Sequence, residues 1–172
     1  MASSYSSDLK LEIITTGEKA GLWGTVTNSN LEILQQAASG YIVVDMAGAD
    51  VTLALTDGAV SNGKNLYFKL TGTLAANRTL TMPAGAERIF IIEDATNRNT
   101  TKTLSIKTAS GTAIAVPIGA VMLVKSDGTN TTKAITEKGY FTITSSAITA
   151  YTAVAGDQLL IDTTQTTVTI TL

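Results

Sequence analysis

The chain contains no cysteine and no histidine, and Trp23 is its single tryptophan. Without cysteine there are no disulfides, and the redox compartment leaves no trace in the sequence. Zinc sites built from Cys and His are excluded. So are serine–histidine and cysteine-nucleophile mechanisms. Charge is scarce as well: 15% of residues, with a net charge of −2 and a pI near 5.0. Lys and Arg are scattered without a basic run, which argues against nucleic acid as a partner. The start, Met1-Ala-Ser-Ser-Tyr-Ser-Ser-Asp8, lacks the basic head and apolar core of a signal peptide. No window approaches the ~18 apolar residues of a membrane span. Membrane insertion is therefore not expected, and the chain reads as a soluble protein made in a cytoplasm.

What is present is apolar and small. The 44% hydrophobic content suffices for a core. The low charge leaves Thr, Ser, Ala and Gly for the surface, which suits close packing against other subunits. Short strands with period-2 alternation recur from Tyr41 onward: Tyr41–Met46, Val51–Leu55, Leu66–Leu70, Thr79–Met82, Glu87–Glu93, Thr103–Lys107, Ala113–Val116, Val121–Val124 and Thr132–Glu137. Pro83 and Pro117 end two of them, and Ser126-Asp-Gly-Thr129 reads as a hairpin turn. The continuous apolar run in Glu87–Glu93 predicts a strand buried on both faces. This spacing predicts a mainly β fold, an antiparallel β-sandwich or jelly roll, with one short N-terminal helix.

Ahead of these strands lies a stretch of different character. Leu9–Thr16 alternates as a first strand. Gly17, Gly21 and Gly24 then surround Trp23 in what reads as a loop. Ser29-Asn-Leu-Glu32 has the form of a capping box. It predicts a helix of roughly three turns, with Leu31, Leu34, Ala37 and Ala38 on its core face and Gly40 as its stop. Trp23, the nearest large apolar group, is the surface on which that helix should lean. Trp23 itself admits three readings: a core anchor, a joint between subunits or proteins, or a stacking platform for a sugar.

The tail repeats an earlier pattern. Tyr41–Leu55 aligns without gaps on Gln158–Leu172, with Asp45 on Asp162, Val51 on Val168, Thr52 on Thr169 and Leu55 on Leu172. Because the second copy stops after two strands, the start of a second β module is expected. The division is residues 1–137 as the first domain and 138–172 as a linker and partial second module, with the polypeptide continuing beyond 172.

Three constellations invite chemistry. Gly58-Ala-Val-Ser-Asn-Gly-Lys-Asn65 nearly matches the phosphate-binding loop, but Asn65 replaces the hydroxyl residue and a strand follows instead of a helix. A hairpin loop is the plainer reading. Glu93-Asp94 with Asn97 and Asn99 offers oxygen ligands without the acidic spacing of a calcium loop. The 14 acidic residues are spread thinly, mostly at strand ends, so no carboxylate pair for glycoside cleavage stands out. No catalytic residue, cofactor or metal is expected. The triplets Asn77-Arg-Thr, Asn99-Thr-Thr and Asn130-Thr-Thr read as Thr-rich turns.

The opening Met1–Lys10, Gly17-Glu-Lys-Ala-Gly-Leu-Trp-Gly24 and Thr27-Asn-Ser-Asn-Leu31 resembles the N-terminus of virion structural proteins of tailed phages that infect marine bacteria and cyanobacteria. The likeness extends through Leu70–Pro83, Ala115-Val-Pro-Ile-Gly119 and Ser126-Asp-Gly-Thr-Asn130, so it covers roughly residues 1–137. Tyr151–Asp162 looks like a further module of phage fibre proteins. The resemblance implies a non-enzymatic tail-fibre protein in the virion. It would be a homotrimer fixed to other tail or capsid proteins, with a host surface receptor reached through residues beyond 172. On this reading Trp23, Gly24, Leu31 and Leu34 form an assembly joint. Two alternatives stay open: a head decoration or head fibre, and the front of a polysaccharide depolymerase whose acids would lie beyond 172.

Overall fold

The computed structural model describes residues 3–135, together with the backbone of two short strands at 141–143 and 159–161. The chain divides into two units, Met1–Ile135 and Thr136–Leu172. In the second, strands Phe141–Ile143 and Leu159–Ile161 pair in parallel, with Phe141 opposite Leu159. Most of the tail repeat, including Val168 and Leu172, and most of the linker at 138–158 lie outside the described residues.

The first unit is mainly β with one helix. A small antiparallel hairpin, β1 (Ser4–Tyr5) and β2 (Glu12–Ile13), opens it where one longer strand was expected. The helix α1 (Trp23–Ser39) follows. Nine strands come next: β3 (Tyr41–Asp45), β4 (Val51–Thr52), β5 (Tyr67–Thr71), β6 (Arg78–Met82), β7 (Glu87–Asp94), β8 (Leu104–Thr108), β9 (Ile114–Ala115), β10 (Val121–Asp127) and β11 (Thr131–Lys133). Each overlaps a segment whose alternation marks it as a strand.

Their directions depart from the expected antiparallel sandwich or jelly roll. One sheet runs β11-β10-β7-β5-β3 and the other β4-β6-β8-β9. From β3 to β8 successive strands alternate between the sheets, so neighbours within a sheet lie in parallel: β3 with β5, β5 with β7, β4 with β6, β6 with β8. Register partners Tyr41, Tyr67 and Ile91 recur roughly every 25 residues, the spacing of a solenoid repeat. Only the last strands reverse, β9 against β8 and β10 against β7 and β11. Alternation of side chains looks alike in parallel and antiparallel strands. What differs is the connection: residues 46–50 carry the chain to the other sheet instead of turning it back beside β3.

The inward residues of both sheets form one core. Val44, Phe68, Leu70, Phe90, Ile92 and Val124 come from the first sheet, and Leu53, Leu80, Met82, Leu104 and Ile106 from the second. The Phe68 and Phe90 rings meet edge to face at 5.9 Å. β7 is buried on one face, not on both as its apolar run suggested. Phe90, Ile92 and Asp94 point inward, while Ile89 is exposed and Ile91 half-buried.

Changing sheets takes the corner carbonyls out of any ladder, and a carbonyl near the core needs a donor. The three arginines supply them. Arg78 Nε donates to Met46 O at 3.1 Å, and its Nη2 donates to Ala47 O and Gly48 O at 3.0 and 2.9 Å. Arg88 donates to Gly63 O, to Lys64 O at 3.0 Å and to Asn65 O at 2.5 Å. Arg98 donates to Val116 O at 2.8 Å and pairs with Asp94 Oδ2 at 2.7 Å, with both side chains buried. Burial pushes the Asp94 carboxyl up, but Arg98, the Thr96 hydroxyl and the amides of Gly119 and Thr96 outweigh it and hold it below the usual carboxylate range.

Two outcomes follow from this packing. Leu80→Ala, in the middle of the second sheet, should cost about 2–5 kcal/mol in urea denaturation with the m-value unchanged. Asp94→Asn should cost about 3–5 kcal/mol at neutral pH, because it leaves a buried guanidinium unpaired. A carboxyl depressed in the folded state stabilises above its unfolded pKa and loses that contribution as pH falls below about 4. The acid limb of a stability–pH curve should therefore be shallower in the variant.

Candidate assembly surface

No residue of the N-terminal segment belongs to the sandwich core. Hydrogen bonds hold that segment together and fasten it. Asn30 of α1 accepts from Glu12 N and donates to Glu12 O, both at 2.9 Å, tying helix to hairpin. The Glu12 carboxylate takes the Ser3 hydroxyl at 2.5 Å and the Lys19 ammonium at 2.7 Å. Three bonds then reach the sandwich side: Glu87 N to Asp8 Oδ1 at 2.9 Å, Gly58 N to Lys10 O at 2.7 Å, and Ser61 N to Gln36 Oε1 at 3.2 Å.

Two of these anchors sit on the loop that resembled a phosphate site. Lys64 is fully buried, and its ammonium donates to Thr56 O at 2.6 Å and Ala59 O at 2.5 Å. The Gly63 and Lys64 amides are held by Ala54 O and Ser61 O. Ammonium and amides alike are turned inward, so the segment is a pinned loop and not a phosphate cradle. Burial pushes the Lys64 pKa down, and nearby Asp57 partly offsets this. Of the residues considered for calcium, Asp94, Glu93 and Asn99 have engaged oxygens. Asp94 carries its arginine, Glu93 accepts from Lys69 at 2.9 Å and from Tyr67 at 2.8 Å, and Asn99 Oδ1 accepts from Thr101.

The helix differs from its expected form in start, face and support. It begins at Trp23, not near Asn28, and no side chain caps it. Lys19 and Gly21, with φ of 57° and 78°, turn the chain so that Leu22 N meets Lys19 O and Val26 N meets Leu22 O. Ser29 and Glu32 thus fall inside the helix, where a box has no terminus to cap. The residues it buries are Val26 and Ile33. A window opened at Asn28 omits Val26, which leaves Leu31, Leu34, Ala37 and Ala38 as the apparent apolar face. Gly40 does stop the helix, but in an extended conformation. Space requires glycine there: a Cβ would lie 2.3 Å from Gln36 O and 2.6 Å from Asn65 Oδ1.

The four candidate joint residues share a face roughly 100° around the helix from the buried one. Trp23 is 64% exposed, Leu31 57%, Leu34 43%, and Gly24 is exposed beside them. Trp23 is therefore no core anchor. A second apolar surface lies on the outer face of the five-stranded sheet. Tyr41, Tyr67, Ile91 and Leu123 align in register across four strands, and the Tyr41 and Tyr67 rings stack at 5.3 Å. Val43, Ile89 and Val121 are exposed on the same strands.

The arginine clamps were not legible beforehand. Their only trace is that all three arginines of a charge-poor chain stand at or near strand ends. Among the described residues no group of three or more His, Cys, Asp or Glu could hold a metal, and no helix is long and apolar enough to cross a membrane. No protein-family model matches the chain, and neither does any curated protein or solved structure.

An exposed sole indole gives a direct check. Tryptophan emission of the dilute, unassociated chain should be solvent-like and readily quenched by iodide. Trp23→Ala should leave unfolding stability within about 0.5 kcal/mol. A blue-shifted, protected emission would contradict the placement.

Proposed function

We propose that this chain is a structural protein of a virus particle: the front part of a tailed-phage fibre, attached to the tail as a homotrimer and supporting host adsorption. The observation that carries the reading is the pair of exposed apolar surfaces, one on α1 and one on the five-stranded sheet. Apolar surface gathered in this way marks contact with other polypeptides. The charge-poor sequence fits the same use, since packed subunits need little charge to stay apart. Two successive β units suit a protein whose work is mechanical: it holds a position and presents a surface, and symmetry multiplies weak contacts into avidity. The resemblance of the opening residues to phage virion proteins supplies the setting. In this reading Trp23, Gly24, Leu31 and Leu34 act in assembly.

The test is particle composition. Phage made with residues 1–40 of this protein deleted should lack it, and its normal incorporation would overturn the proposal. Copy number in intact particles separates the location: a few trimers place it on the tail, and hundreds of copies place it on the head as a decoration protein.

A further inference from the structure

The exposed face of α1 has a regular spacing. Gly24, Leu31 and Ala38 stand seven apart, as do Thr27 and Leu34, so the five alternate at intervals of three and four. That is the a/d seam of a coiled coil, written beside the Val26/Ile33 stripe that already packs inward. A helix with only its own domain to satisfy needs one apolar stripe, and this one has two.

We infer that this seam packs against α1 of a second copy of the chain. The inference rests on the assembly role proposed above and names the partner of that surface. Charge favours the same helix as occupant. The only charged residue of α1 is Glu32, on the far side of the helix from the seam. Copies therefore meet without repulsion, and a charged groove or basic helix would find nothing to pair with. The small side chains at Gly24, Thr27 and Ala38 let two backbones approach closely while Leu31 and Leu34 interdigitate. Area sets the extent. A 17-residue helix is about 25 Å long, and a seam of five residues falls short of the ~1,200 Å² of a stable interface. The contact has to continue, and the chain provides for this. Gly40 leads directly into β3, where Tyr41 and Val43 are themselves exposed and available to a second copy.

The absence of cysteine makes the test direct. In sedimentation of the full 172-residue chain the protein should self-associate. Leu31→Glu and Leu34→Glu should each raise the dissociation constant at least about tenfold, and Glu32→Gln should leave it unchanged. Under mild oxidation Leu34→Cys should form a covalent dimer, and Glu32→Cys should not. Far-ultraviolet circular dichroism checks that each variant is folded, and the cysteine pair supplies a readout that does not depend on the charged variants. A chain that stays monomeric at all concentrations would overturn the inference. So would association that survives Leu34→Glu with no cross-link at Leu34→Cys. Incorporation into particles by a chain that fails these tests would leave the virion reading standing while removing this partner.

Discussion

Backbone carbonyls at the corners are the constraint on which this fold depends. A chain that crosses from one sheet to the other after nearly every strand cannot close its turns with hairpin hydrogen bonds. Three of its connections leave carbonyls with no ladder to join. Guanidinium groups answer that need well, because one planar fork reaches two or three oxygens at once. Arg78 gathers residues 46–48, Arg88 gathers 63–65, and Arg98 spans Val116 and the buried Asp94. Lys64 does the same within its own loop. Arg78, on β6, holds the corner between β3 and β4, so one turn of the structure fixes the shape of the turn before it.

The same loop connects the sandwich to the N-terminal layer. Loop 56–65 is pinned from inside by Lys64 and from the sheet by Arg88. It then offers Gly58 N and Ser61 N to the hairpin and helix. The helix is consequently held by a modest apolar contact through Val26 and Ile33 and by directional polar bonds, not by immersion in the core. Such a mounting leaves most of the helix surface free. It explains how a 17-residue helix can show Trp23, Leu31 and Leu34 to solvent while remaining ordered on the domain.

Exposure of large apolar groups at two places is the feature that bears on function. On the sheet the outward apolar row, exposed at Tyr41 and half-buried at Tyr67, Ile91 and Leu123, is a consequence of strand composition. β3, β5 and β7 carry apolar residues on both faces, although only one face meets the core. On the helix it is a consequence of a doubled stripe. In both cases the sequence contains more apolar surface than this unit buries, and packing against further polypeptide is the physical use for the remainder.

Much of the fold is legible in the sequence. Short apolar segments, several of them alternating, located the strands from β3 to β11, because a pleated backbone sends successive side chains to opposite faces whatever its neighbours do. The absence of histidine and cysteine closed whole classes of chemistry outright. Tertiary structure alone decided three matters. Strand direction depended on where a five-residue corner sends the chain, and Met46–Asp50 is short enough for a hairpin yet is drawn across by Arg78. Which stripe of α1 faces inward depended on a helix start set by the turn at Lys19–Leu22, not by the Ser29–Glu32 box. Lys64 and the Asp94–Arg98 pair find their charged-group partners within eight residues, but their burial comes as Arg88, Val116 and Gly119 close around them from far along the chain, and local composition shows only ordinary charges. Local patterning therefore told what the segments from Tyr41 onward are, and misread the stretch before Asn28. Direction, facing and burial belong to pairs of segments, and only packing could settle them.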